Sequence, residues 1–487
     1  MNKKTFKIEI SFCLIFFFVC IFILLQSPLA PYAKSSNGVD SSVFIYSAQQ
    51  ILKGQIMYKD VVDHKGPFLY LINVVALLIF NGKFIGIWIL EIFSLFATSI
   101  VMYKTARFFV GKISSFLSVV TALLALEQFL VSGNLSEEWA LPFISIAMYI
   151  FVDYLINNKP LDIIRLFILS LTFVLAFMIR ANLAAIWAGF GMVLMIKWIV
   201  GKKYKELIRN VLLISLFVLL FILPFFLYFY IKGALSDAMY LVFKYNMFEY
   251  FPQPVLFTLK RSFKILAGLY YLSAIPFTIV IYMFLRNKTI VNGSVVSAFF
   301  FTALSCSLGR FGIHYYMIFI PLLVIPYAYI LEVIKDSFPK AKYTLLFIIF
   351  IFYNFNPAIT QSQNIIDNYS EKGYGSFVIP PVTMEKLKII ITQNTKPEDK
   401  ILVKGNQNSL YLYSNRTSAT RFSYYLSASS LANRCYAKEA EDALPKLIIQ
   451  GDIINSMNSI SLDSLLNEKY RLLPTDIEGA EIWKLKE

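Results

Sequence analysis

The residues best suited to chemistry are Asp40, Asp63, His64, Lys65, Glu138, Arg180, Asn182, Arg310, His314 and Tyr315, scattered through an otherwise lipid-loving chain. The densest stretch is Asp40 to Tyr70, DSSVFIYSAQQILKGQIMYKDVVDHKGPFLY. Its 31 residues hold three Asp, three Lys and one of the chain's two His. Asp40 precedes a helical pattern from Ser41 to Lys53, where Phe44, Ala48, Ile51 and Leu52 share a face. A carboxylate there can cap the helix by accepting its free N–H groups. At a water–lipid boundary it can also act as a general base. The two roles are compatible.

Asp63-His64-Lys65-Gly66-Pro67 joins an acid, a base and a cation on a rigid turn. Its plainer reading is a surface turn. Asp63 and His64 also offer two adjacent ligands to a divalent metal, a short set for such a site. Glu137-Glu138 opens an apolar run, where acids suit the positive helix terminus. Arg180, two residues before Asn182 and between apolar stretches, needs an acid from another helix or a substrate phosphate. Arg310, His314, Tyr315 and Tyr316 form a similar cluster that favours ligand contact over internal pairing. Glu91 and Glu127, inside apolar runs, read as structural partners of basic residues.

The elements that must position these groups are membrane spans. The 487 residues are 58% hydrophobic and only 15% charged, against roughly 25% charged in a soluble protein. Apolar runs approach the ~20 residues that cross a hydrocarbon core. The net charge of +15 sits largely beside those runs, as topology signals and anionic-lipid contacts, so no nucleic-acid partner is implied. Cys13, Cys20, Cys306 and Cys435 form no disulfide framework or CxxC pair.

Lys3, Lys4 and Lys7 before a run from Ser11 to Leu25 predict an uncleaved first span with a cytoplasmic N-terminus, a cleavable signal peptide being the alternative. Gly66 to Phe80 is expected in the interface rather than across the bilayer. That choice puts Lys104, Arg107 and Lys112 on the cytoplasmic side. Further spans include Ile113 to Val131, Val211 to Tyr230 and Leu345 to Phe355, about eleven in all, with a long aromatic outer loop through Pro254. Lys232, Lys244, Lys260, Arg261 and Lys264 run against this topology and read as an anion-facing surface.

The expected fold is a multi-pass α-helical membrane protein, residues 1–356 with a first external loop at 31–82, followed by an extracytoplasmic α/β domain at 357–487. Short apolar runs at Ile401-Leu402-Val403 and Leu447-Ile448-Ile449 alternate there with helices at Thr383 to Thr392 and Leu462 to Glu468. In this topology the candidate residues all gather at the outer ends of spans.

On these residues the chain resembles the bacterial C-type (GT-C fold) membrane glycosyltransferases, in the branch of protein O-mannosyltransferases and aminoarabinose transferases. The resemblance rests on Asp40 in the first external loop, on Asp63, Lys65 and Pro67, and on Glu137-Glu138. It extends to Arg180 with Asn182, Arg310 with His314 and Tyr315, and the tail segment LYLYSNRTSATR. Relatives often carry two adjacent acids in the first loop, whereas Ser41 follows Asp40 here.

The resemblance implies residence in a bacterial cell membrane and a polyprenyl-phosphate sugar donor. The acceptor would be a lipid-linked, glycan or protein hydroxyl. Asp40 and Asp63 would be the catalytic acids; Lys65, Glu138, Arg180, Asn182, Arg310, His314 and Tyr315 would bind substrates. No cofactor is required, beyond the divalent metal that Asp63 and His64 leave open. The alternatives are a polysaccharide polymerase or ligase, and a lipid-linked sugar flippase.

Overall fold

The computed structural model describes residues 8–250, 257, 260, 264, 274–307, 312–375, 378–426, 429–454 and 460–487. The first half runs α1 (Ile10–Leu24), α2 (Val39–Leu52), α3 (Pro67–Ile79), α4 (Ile85–Ala106), α5 (Lys112–Leu124), α6 (Ser136–Asn157), α7 (Ile163–Phe177), α8 (Ala185–Val200) and α9 (Tyr204–Ile231). Local chemistry starts and stops them. Pro67 occupies the first turn of α3, where a missing N–H costs nothing. Asp162 caps α7 by accepting from the Arg165 backbone N–H at 2.9 Å. Asn158 ends α6 in the left-handed region at φ 49°.

After a short α10 (Leu235–Met239), a π-helical turn covers Tyr240–Glu249. The expected aromatic loop is therefore wound into helix over its described part. Next come α11 (Ala274–Arg286), α12 (Ile290–Ser307), α13 (Ile320–Ser337, entered through a 3-10 stretch at Ile313–Phe319) and α14 (Lys342–Asn368). Helices α8 and α12 pack along each other, as do α4 with α6, α5 with α13, and α7 with α9.

Among the described residues, seven helices are long and apolar enough to cross a membrane, and four shorter apolar helices accompany them. The bundle is inside-out relative to a soluble protein. Phe352 and Ile231 are 86% and 77% exposed, while Glu91, Asn134 and Glu137 are sealed inside. The protein is a multi-pass membrane protein.

Two span readings change. The helix expected to reach Val131 stops at Leu124 and passes into a 3-10 turn over Ala125–Gln128. The last span, expected to end near Phe355, continues to Asn368. Its polar end misled the reading because those amides serve α1. Gln361 donates to the carbonyls of Phe22 (2.9 Å) and Ile23 (2.8 Å), and Asn368 to those of Leu25 (2.9 Å) and Ser27 (3.0 Å). They satisfy carbonyls that a helix end leaves unpaired.

The tail folds as α15 (Pro381–Asn394), β1 (Lys400–Val403), α16 (Ser409–Ser414), β2 (Thr417–Ser418), α17 (Ser430–Ala443), β3 (Leu447–Gln450), α18 (Asp463–Lys469), β4 (Tyr470–Leu473) and β5 (Glu481–Leu485). The sheet order is β2-β1-β3-β5-β4, with β1 parallel to both β2 and β3 and the β3–β5–β4 pairs antiparallel. Ile401, Leu402, Val403 and Leu447, Ile448, Ile449 are all buried, as strands covered on both faces must be. This sheet domain lies directly on the first loop. The Ser418 N–H donates to the Tyr46 hydroxyl at 2.8 Å, and the Tyr46 and Tyr411 rings meet at 5.1 Å.

Candidate active site

Asp40 sits in the first turn of α2, one residue past its start. The helix is capped by Gly38, not by Asp40, and no side chain supplies a capping bond. Glycine is required there by close approach: a Cβ would lie 1.9 Å from the Ser132 hydroxyl. Released from capping, the Asp40 carboxylate is 38% exposed, with the His314 Nε2 4.0 Å from it. The imidazole lies so close over Gly312 that a Cβ there would be 2.4 Å from its Cε1.

The turn after α2 is pinned from both sides. The Val62 N–H donates to the Arg421 carbonyl of the sheet domain (2.9 Å), while Gly66 and Phe68 donate to the carbonyls of Ile179 (2.9 Å) and Met178 (3.0 Å) at the end of α7. Asp63 is sealed between them. One oxygen accepts from the Tyr424 hydroxyl (2.5 Å) and its own chain's next N–H, His64 (2.6 Å); the other accepts from Tyr70 (2.6 Å). Burial pushes this carboxyl above the usual carboxylate range, against the pull of Lys65 and the three donors. The neighbouring His64 ring meets Asn246 Oδ1 at 2.7 Å through Nδ1 and packs on Tyr250 at 4.8 Å.

These contacts test the metal reading. Both oxygens of Asp63 and the Nδ1 of His64 are engaged by protein groups, and no group of three or more His, Cys, Asp or Glu among the described residues could hold a metal. The residues do not fit a divalent-ion site.

Lys65 is buried, its carbonyl accepting from the Tyr58 hydroxyl at 2.7 Å. No described carboxylate lies within ion-pair distance of its ammonium. Arg180 does have an acid: its guanidinium donates to Glu137 Oε1 at 2.7 Å and lies 4.2 Å over the Tyr315 ring. Glu137 is held in turn by the Ser136 hydroxyl (2.8 Å), and Lys65 and His314 lie near it. Asp40, Lys65, Glu137, Arg180, His314 and Tyr315 thus share one region at the start of α6.

Glu138 points elsewhere. It faces Glu91 of α4, whose other oxygen takes the Asn134 backbone N–H, and neither acid meets a base. Asn134 continues to Asn73 (2.9 Å), Ser41 (3.2 Å) and Trp139 (2.9 Å), joining four helices beneath the Asp40 turn. Among the described residues Glu127 also has no ion pair, so the expected basic partners of Glu91 and Glu127 are absent. Arg310 lies outside the described residues.

Beyond Arg180, Asn182 opens an apolar cavity of about 610 Å³ lined by Ser170, Trp187, Leu194, Trp198 and Phe301. It follows α8 from one end to the other. The Asn182 side-chain oxygen is buried there without a hydrogen-bond partner among the described residues.

No family model and no curated protein matches this sequence. Solved structures do. ArnT from Cupriavidus metallidurans in the apo state superposes with a TM-score of 0.65 at 13% identity, covering 98% of each chain. The same protein bound to undecaprenyl phosphate gives 0.62 at 13% identity, over 96% of this chain and 97% of that one. The archaeal oligosaccharyltransferase AglB from Archaeoglobus fulgidus, in complex with an inhibitory peptide and a dolichol-phosphate, gives 0.56 at 12% identity, over 91% of this chain and 69% of that one. The chain has the GT-C fold of membrane glycosyltransferases.

Proposed function

We propose that this protein transfers a sugar from a polyprenyl-phosphate donor to a lipid-linked, glycan or protein hydroxyl at the outer face of a bacterial cell membrane. The observation that carries the reading is the cluster at the start of α6, where Arg180 holds Glu137, Lys65 is a buried cation lacking an acid and Asp40 stands beside His314, while Ala181 and Asn182, next to Arg180 in the chain, line an apolar cavity that follows α8. A phosphate on an isoprenoid chain suits that combination. The head would meet Lys65 and the Arg180 guanidinium, and the chain would lie along α8 in the cavity. The ligands named for ArnT and AglB, undecaprenyl phosphate and a dolichol-phosphate, are of this class.

In the proposed reaction, the acceptor oxygen attacks the anomeric carbon while Asp40 takes its proton. The bond from the anomeric carbon to the phosphate oxygen breaks, and polyprenyl phosphate leaves. Negative charge growing on that phosphate is stabilised by Lys65 and by the face of Arg180 not used by Glu137. Glu137 replaces Glu138 as the acid of the site, because it orients Arg180. His314, beside Asp40, orients the carboxylate, and Tyr315 supports Arg180 from below. Asp63 serves position rather than proton transfer, since both of its oxygens are occupied.

Purified protein in vesicles, given labelled polyprenyl-phosphate sugars and candidate acceptors, tests this. A glycosylated product supports transfer. Movement of intact donor across the bilayer without product would make the protein a flippase.

A further inference from the structure

Resting on the proposed donor site, we infer that the sheet domain is part of that site, and that Tyr424 positions Lys65 for the donor phosphate by way of Asp63. The hydroxyl of Tyr424 reaches 361 residues back along the chain to a sealed carboxylate. Asp63 is two residues from Lys65 and bonds the N–H of the residue between them. The same three-residue segment is held by Tyr70 on Asp63, by Asn246 on the His64 carbonyl (2.8 Å) and by Tyr58 on the Lys65 carbonyl. Both side-chain oxygens of Asp63 and the carbonyls of His64 and Lys65 are therefore tied, while the Lys65 ammonium has no hydrogen-bond or ion-pair partner among the described residues.

The arrangement is more than domain adhesion. Adhesion is already supplied by other contacts: the Tyr46 hydroxyl with the Ser418 N–H, and Glu249 accepting from the Ser430 N–H (2.8 Å) at the start of α17. The Val62 N–H on the Arg421 carbonyl holds the turn just before the segment that carries Lys65, and Tyr424 is the sheet-domain side chain that bonds a side chain within it. A hydroxyl in that place sets where a cation points, and a misplacement of a positioning group is felt as lost affinity for the ion it meets.

The test measures binding of undecaprenyl phosphate to the purified full-length protein. Tyr424→Phe removes one oxygen and is expected to weaken binding about tenfold, the worth of one hydrogen bond to a charged group. Lys65→Met should weaken it at least as much, and adding Tyr424→Phe to Lys65→Met should change little more, because both act on one contact. The titration separates this from misfolding, which lowers the number of binding sites rather than the affinity of those that persist. Unchanged affinity in Tyr424→Phe, or a full further loss on the Lys65→Met background, overturns the inference and leaves the functional reading standing. Wild-type protein that binds no polyprenyl phosphate overturns both.

Discussion

The two ends of α6 carry the same pair, a buried acid facing an arginine, and differ in what surrounds it. At the C-terminal end, Asp153 accepts from Arg165 (2.5 Å), Lys159 (3.2 Å) and Asn157 (2.5 Å), so both of its oxygens are engaged. Toward the other end, about 24 Å away along the helix, Glu137 holds Arg180 just as closely. There, however, Asp40 accepts no hydrogen bond from a described residue, and Lys65 has no acid. The ion pair is common to both ends; a carboxylate that accepts no hydrogen bond and an ammonium without an acid belong, among the described residues, to one. Buried charge alone therefore does not mark a site, because structural networks bury charge too.

Substitutions at matched positions sharpen this contrast. The largest effect is expected from Asp40→Asn, which should slow transfer by about 10²- to 10⁴-fold while melting temperature and membrane insertion stay unchanged. Asp153→Asn, at the opposite end, should do the reverse: lower stability with the rate per folded molecule preserved. Loss of transfer in Asp153→Asn would break the comparison. Next comes Arg180→Met, which strands Glu137 in the interior and should cost about 3–5 kcal/mol of stability, read by thermal unfolding in detergent, together with most of the activity. Lys65→Met should spare stability, since no acid is orphaned, and lose about 1.5–3 kcal/mol of donor affinity, read as a higher KM for the donor. The smallest effect is Lys159→Ala, a half-exposed partner of Asp153, at under ~1 kcal/mol and with wild-type kinetics.

The sequence made some of this site legible and hid the rest for physical reasons. The first loop announced itself because acids, cations and a histidine stood out against lipid-loving neighbours. Strands β1 and β3 were readable as short runs of β-branched and leucine residues. Arg180 was recognisable as needing an anion, but its supplier was not. Glu137 and Glu138 are adjacent, and a helix sends neighbours about 100° apart; only the packing of α4 and α7 decides that Glu137 meets Arg180 while Glu138 meets Glu91. Asp63 is expected to be catalytic through the resemblance carried by Asp63, Lys65 and Pro67, yet its saturation by Tyr70 and Tyr424 depends on a contact across most of the chain. Asn134, the junction beneath Asp40, carried no signal beyond a Gly-Asn turn. Its left-handed backbone, at φ 53°, is the one hint that such a turn offers.

The most direct test of the central claim follows the anomeric carbon. With an anomerically pure polyprenyl-phosphate sugar and purified wild-type protein, the glycosidic linkage of the product is read by NMR beside the amount of free polyprenyl phosphate. A single displacement with Asp40 as base predicts inverted configuration and one polyprenyl phosphate released per sugar transferred. Retained configuration, or lipid released without sugar appearing on an acceptor, would contradict it.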